Sequence, residues 1–230
     1  MSEKRSIVET FLKGRFSMLL ISLATLFFIS PLIPGDQTFV DKMFGMFILA
    51  VLISCIRAIS RTRRFFIGMM VFTLINLAIG SYELFSSMEP HDFGTLVLVV
   101  RIAYFSVVFI SIMRYVLDAS PVTGDKICGA ISAYLVMGIV WTFVYTLFYH
   151  LDASSFKIPE ALLSSETVNS TWAIYFSFTT LTTLGYGDIT PQTPGIQSYA
   201  IMEAACGQIF MAVIVARLIA LHITQERNVE

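Results

Sequence analysis

Residues 176–191 read FSFTTLTTLGYGDITP, with four threonines running into Gly185-Tyr186-Gly187-Asp188. An apolar stretch, Trp172–Leu181, leads into this segment, and a longer one, Ile196–Ile223, follows it. Glycine costs about 1 kcal/mol relative to alanine inside a helix, so Gly185 and Gly187 break one here. In lipid, broken backbone survives only where it is buried in protein or lines a water-filled path, because its N–H and C=O groups otherwise lack partners. The fold turns on whether the chain lies in a membrane and on what this segment lines.

Composition answers the first point. Apolar residues make up 56% of the chain and charged residues 13%, against about 25% charged in a soluble domain. A net charge of −1 gives no basic surface for nucleic acid. Cys55, Cys128 and Cys206 all sit in apolar runs. Their odd number argues against a disulfide framework or a metal cluster, and they read as small buried side chains. His91, His150 and His222 are scattered and form no nucleophile–base or metal spacing, which weighs against an enzyme. The N-terminal MSEKRSIVETFLKGRFSMLL carries charges ahead of its apolar run and no small-residue cleavage site, predicting an uncleaved first helix.

A spanning helix needs about 20 mostly apolar residues. Ser17–Ile33, Met43–Ser60, Phe65–Phe85, Thr95–Leu117, Ile127–Leu151 and Ile196–Ile223 qualify. Trp172–Leu181 is too short to cross but fits a re-entrant half-helix, capped by Ser170 or Thr171. Six crossings put Lys4, Arg5, Lys13, Arg15, Arg57, Arg61, Arg63, Arg64, Arg114, Lys126, Arg217 and Arg227 on one side, and only Lys42 and Lys157 on the other. That asymmetry makes both termini cytoplasmic and places 152–195 outside. The expected fold is an all-α polytopic protein of the plasma membrane. A four-helix domain would occupy 1–120 and a second domain, with the re-entrant segment, 121–230.

The return from the half-helix carries the chemistry. In an extended strand, successive carbonyls face one axis only if the backbone alternates in handedness, and glycine takes left-handed values at little steric cost. That accounts for Gly185 and Gly187. Four copies around an axis would stack rings of carbonyl oxygens able to replace the water shell of a cation.

The nonapeptide TLTTLGYGD, 180–188, after a half-helix and between two spanning segments, resembles the tetrameric potassium-channel pore family. The known filter is TVGYG, and Leu184 stands in the valine position. The resemblance covers outer helix, pore helix, filter and inner helix. It implies a homotetramer in membrane lipid, with potassium as the transported ion and no cofactor. Potassium would bind the carbonyls of Thr183, Leu184, Gly185 and Tyr186 and the Thr183 hydroxyl, with Gly187 closing the filter. Tyr186 would point away from the axis against Tyr175 and Phe176, and Thr179 and Thr182 would support the filter from the pore helix. Asp188 would join a ring of carboxylates at the outer mouth. The pore helix would aim its partly negative end at the cavity.

In the inner helix, Gly207 is a hinge by the resemblance, or a close-packing contact by general membrane-helix rules. Gln208, Met211 and Val215 recur at helical spacing and fit a cavity lining. Glu203 is a rare intramembrane carboxylate; it is expected to hydrogen-bond pore-helix threonines and brace the filter, the alternative being a cavity-facing charge. The fourth segment carries only Arg101 and Arg114, thirteen positions apart, where a voltage sensor needs several charges. Arg101 is expected to pair with Glu83, and strong voltage gating is not expected. The sequence TQERNVE after Ile223 offers no ligand-sensing module, so gating would act on the membrane domain through lipid, an unidentified regulatory subunit, pH or tension. The rivals are a nonselective cation pore, a potassium channel modulated by voltage through Arg101, and a potassium transporter subunit; transporter chains of that kind carry four pore loops, and this one carries one full motif.

Overall fold

The computed structural model describes residues 14, 16–29, 67–76, 78, 91–159 and 171–227. Its helices are α1 (Ser17–Ile29), α2 (Ile67–Asn76), α3 (His91–Val116), α4 (Gly124–Leu151), α5 (Thr171–Leu181) and α6 (Pro194–Arg227). Stretches of α3, α4 and α6, namely Gly94–Val116, Gly124–Leu151 and Pro194–Thr224, are long and apolar enough to cross a membrane. They contain most of the fourth to sixth expected segments. The first is represented by α1 and part of the third by α2. Met43–Ser60 and Glu83 lie outside the described residues, as does Ser170. Thr171 is itself the first residue of α5.

Element ends follow local chemistry. Pro194 opens α6 where a missing N–H costs nothing, and the Thr193 carbonyl accepts the Gln197 N–H at 3.0 Å. After α4, Asp152 caps a short 3₁₀ turn, Ala153–Ser155, by accepting the Ser154 N–H at 2.9 Å and its hydroxyl at 2.7 Å. These bonds hold the exposed Asp152 carboxyl below its ordinary value. The expectation of an all-α chain needs one addition. Strands β1 (Phe156–Lys157) and β2 (Thr190–Pro191) form an antiparallel pair, Phe156 opposite Pro191. It joins the chain just after α4 to the chain just after the Gly-Tyr-Gly segment, and the Gln192 N–H extends it to the Ser155 carbonyl at 2.8 Å.

The chain forms two compact units. In the first, which gathers α1, α2, the end of α3, the start of α4 and the end of α6, Phe16 stacks on Tyr115 with centroids 4.9 Å apart. Asp125 accepts the Phe16 N–H at 2.8 Å and the Tyr115 hydroxyl at 3.3 Å. Lys126 is fully buried, and its ammonium donates to the carbonyls of Asp118 and Ser120 at 2.6 and 2.7 Å. It thereby ties down the connection between α3 and α4, whose backbone carbonyls have no helical partner there. Arg217 donates to the Leu117 carbonyl.

The second unit holds the start of α3, the rest of α4, α5, the Gly-Tyr-Gly segment and most of α6. Its core is aromatic: Tyr145, Phe156, Trp172 and Phe176 pack with Ile189 and Ile196. Phe176 meets Tyr145 at 4.9 Å and Phe156 at 5.4 Å, both edge-on. Phe156 lies 5.0 Å from Trp172. Such pairs contribute about 0.5–1.5 kcal/mol each beyond burial. In lipid this packing, more than the hydrophobic effect, holds helices together. A small residue opens a further α4–α5 contact: a Cβ at Gly138 would lie 2.4 Å from the Phe178 ring.

Candidate functional site

Helix α5 ends in the Gly-Tyr-Gly segment, and its threonines explain how. The Thr182 N–H and hydroxyl both reach the Phe178 carbonyl, at 3.1 and 2.6 Å. The Thr179 hydroxyl reaches the Phe176 carbonyl at 3.0 Å, and the Thr183 N–H reaches the Thr180 carbonyl at 2.9 Å. Carbonyls that a helix leaves unpaired at its C-terminus are thus met by local donors.

The decisive contact is on Thr179. Its carbonyl accepts the N–H of Leu184 at 2.8 Å and that of Gly185 at 3.0 Å. The described backbone has no cis peptides, and in a planar trans peptide the C=O points opposite to the N–H. Pinning two consecutive N–H groups on one acceptor therefore turns the Thr183 and Leu184 carbonyls away from α5, toward the same side. Consecutive carbonyls share a side only if the backbone alternates in handedness. It does: φ is positive at Thr183 (60°), Gly185 (49°) and Gly187 (78°), and at neither Leu184 nor Tyr186. The two glycines were legible as left-handed positions. Thr183 was not, since a β-branched residue there is an outlier that costs about 1–3 kcal/mol and persists only where its surroundings enforce it. All of 182–188 is exposed in the single chain.

Around this strand the predicted residues take definite places. Tyr186 stacks nearly parallel on Tyr175, centroids 6.4 Å apart. The Tyr175 hydroxyl donates to Asp188 at 2.7 Å, and the Ile189 N–H donates to the other carboxylate oxygen at 3.0 Å. The Tyr175 bond holds the Asp188 carboxyl below its ordinary value, and the same bond pushes the Tyr175 phenol up to about 12. Phe176 does not join Tyr186 as expected; it points into the aromatic core with Tyr145 and Phe156. One helical position separates the two neighbours onto different faces of α5.

Helix α6 contributes from behind. A Cβ at Gly207 would lie 2.3 Å from the Leu181 carbonyl oxygen, so the close-packing alternative for Gly207 has a specific contact, the last turn of α5. Gln208 Nε2 lies 3.5 Å from the Thr183 hydroxyl, the outer limit of a hydrogen bond. Gln208, Met211 and Val215 are exposed in the single chain. Glu203 is fully buried and hydrogen-bonded, but its partners correct the expectation: they are the hydroxyls of Ser177 and Tyr145, each at 2.6 Å, and not threonines. No sequence signal marks Ser177 or Tyr145 as its partners, since both helices carry several other hydroxyl side chains. Arg101 on α3 lies over the Phe143 ring, 5.8 Å from its centroid. Among the described residues no cluster of His, Cys, Asp or Glu could hold a metal ion.

Residues 133–223 match the family model described as "Ion channel". The matched segment runs from α4 through α5 and the 182–188 strand into α6, and the match supports an ion-channel pore in this part of the chain. No curated protein and no solved structure matches the chain.

Proposed function

We propose that the chain is one subunit of a homotetrameric potassium-selective channel, conducting passively and without strong voltage gating. The observation that carries this is the pair of N–H groups pinned on Thr179, with alternating handedness from Thr183 to Gly187. It turns successive carbonyls to one side, the arrangement needed to replace a cation's water shell. One chain supplies one strand, so four are needed to surround the ion. The exposed apolar side chains of α6, among them Ile201, Ile209 and Val213, give neighbouring subunits a surface to cover.

In this reading the carbonyls of Thr183, Leu184, Gly185 and Tyr186 and the Thr183 hydroxyl bind potassium. Tyr175 and Tyr186 brace the strand, with Asp188 at the outer mouth and Gln208, Met211 and Val215 toward the inner cavity. Both termini are cytoplasmic and the protein spans the plasma membrane six times, with 121–230 as the pore domain. The four-helix domain 1–120 is a regulatory surface for lipid, tension or a further subunit in this reading. The test is potassium flux from loaded proteoliposomes, together with cross-linking in mild detergent. Flux with a ladder ending at four is expected; flux with a ladder ending at two would refute the assembly.

A further inference from the structure

Glu203 poses a question of proton counting. Its Oε1 lies 2.6 Å from the Ser177 hydroxyl oxygen, and its Oε2 lies 2.6 Å from the Tyr145 hydroxyl oxygen. The Ser177 oxygen also lies 2.9 Å from the Gly138 carbonyl oxygen. A carbonyl oxygen only accepts, an ionised carboxylate only accepts, and a serine hydroxyl has one hydrogen. The Gly138 carbonyl already accepts the Thr142 hydroxyl at 2.9 Å, yet with Glu203 ionised three short O···O contacts share two hydroxyl hydrogens, so Ser177 can serve Glu203 or Gly138 but not both and one contact is left with no hydrogen between its oxygens. With a proton on Oε1 the count closes: Glu203 donates to Ser177, Ser177 donates to Gly138, and Tyr145 donates to Oε2. Moving the proton to Oε2 fails, since Tyr145 would then accept and the Gly138 contact would again lack a hydrogen.

Burial points the same way. Glu203 is 0% exposed, and a buried charge is tolerated only when it is paired. The groups that meet it are the Tyr145 phenol and the Gly138–Ser177 pair, from α4 and α5. Among the described residues no basic side chain is bonded to it.

We propose that Glu203 is a neutral carboxylic acid, and that its proton makes it the positioning residue tying α4, α5 and α6 together behind the strand 183–187. The positioning half rests on the channel reading; the protonation half does not. The α5–α6 seam has two rungs one helical turn apart, Glu203 on Ser177 and Gly207 on the Leu181 carbonyl. Between Ser177 and Leu181 sits Thr179, whose carbonyl holds the N–H groups of Leu184 and Gly185. A shift of α5 at Ser177 therefore reaches the carbonyls that face the ion. An ionised Glu203 could not donate to Ser177, so the first rung and the Gly138 contact would compete for the one Ser177 hydrogen.

The test is infrared spectroscopy of the full chain in lipid nanodiscs, with current recorded from the same variants. The wild type minus Glu203→Gln difference should contain the carbonyl stretch of a neutral, hydrogen-bonded carboxylic acid. Tyr145→Phe should move that band to higher frequency, because Oε2 loses its donor; this reads the same proton if Glu203→Gln does not assemble. Carboxylate bands in the difference spectrum, or an acid band indifferent to Tyr145→Phe, would overturn the assignment. Glu203→Gln, whose amide can donate to Ser177 and accept from Tyr145, should keep potassium current, and Glu203→Leu should lose it. Wild-type current in Glu203→Leu would overturn the positioning role. The infrared result stands whether or not the protein conducts, so a failure of the channel reading would show in the current alone.

Discussion

Replacing Gly207 by alanine sets two effects of opposite sign against each other. Helix propensity alone favours alanine by about 1 kcal/mol. The added methyl would lie 2.3 Å from the Leu181 carbonyl oxygen, where ordinary contacts are 3.4–4 Å, so the two backbones must part by about 1 Å. The obstructing atom is backbone at the end of α5, with no rotamer to yield. Overpacking of this kind costs about 1–3 kcal/mol, sometimes more, and recurs in every subunit of an assembly. The clash should win. Because Leu181 ends the turn whose Thr179 carbonyl holds Leu184 and Gly185, the displacement should disturb the strand as well as the fold. On the homotetramer reading, the temperature at which the assembly dissociates should fall below wild type, and potassium current should drop with it. Gly195→Ala on the same helix, where a Cβ meets nothing within 4 Å, is the matched control and should change neither. A hinge without close packing would give a Gly207→Ala tetramer of normal stability with altered opening. Normal stability and normal current together would refute the seam.

Three further predictions follow from the site. Gly185→Ala should fold, since its Cβ would meet nothing within 4 Å in the single chain, yet lose potassium current, because φ 49° costs a non-glycine residue about 1–2 kcal/mol per subunit and misaligns the carbonyls; normal conduction by the folded variant would contradict this. Tyr175→Phe should make the outer mouth more sensitive to acid. The Tyr175 bond lowers the folded-state value of Asp188 below its ordinary 3.8, so the ionised carboxylate and the stability it lends are complete above 3.8 and are lost only as pH falls through that lowered value. Without the bond the loss should begin at higher external pH, and identical acid titrations of current in wild type and variant would contradict this. Arg101→Gln should lower thermal stability through the lost contact with Phe143, about 0.5–2 kcal/mol, and leave open probability nearly flat against voltage; a steep wild-type activation curve flattened by the mutation would show that Arg101 senses the field.

Much of the pore region was legible because its signals are local. The half-helix expected over Trp172–Leu181 is α5, Thr171–Leu181, and Gly185 and Gly187 carry the positive φ expected of them. The rest depends on contacts that periodicity cannot report. A helix apolar on all sides declares no face, so nothing local distinguishes Phe176, turned into the aromatic core, from Tyr175, stacked on Tyr186. The partners of Glu203 lie 26 and 58 residues away in sequence, and the threonines at the end of α5, somewhat nearer along the chain, are the more conspicuous hydroxyls. Thr183 runs against its own propensity, so only the three-dimensional setting reveals its left-handed backbone. The short β1–β2 pair carries no strand signal, since two residues are too few to show alternation.

The central claim is that the carbonyls of Thr183 to Tyr186 select potassium. The most direct measurement is the reversal potential of purified protein in a planar bilayer with potassium on one side and sodium on the other. A reversal displaced far toward the potassium equilibrium potential is predicted, and a reversal near zero would contradict it.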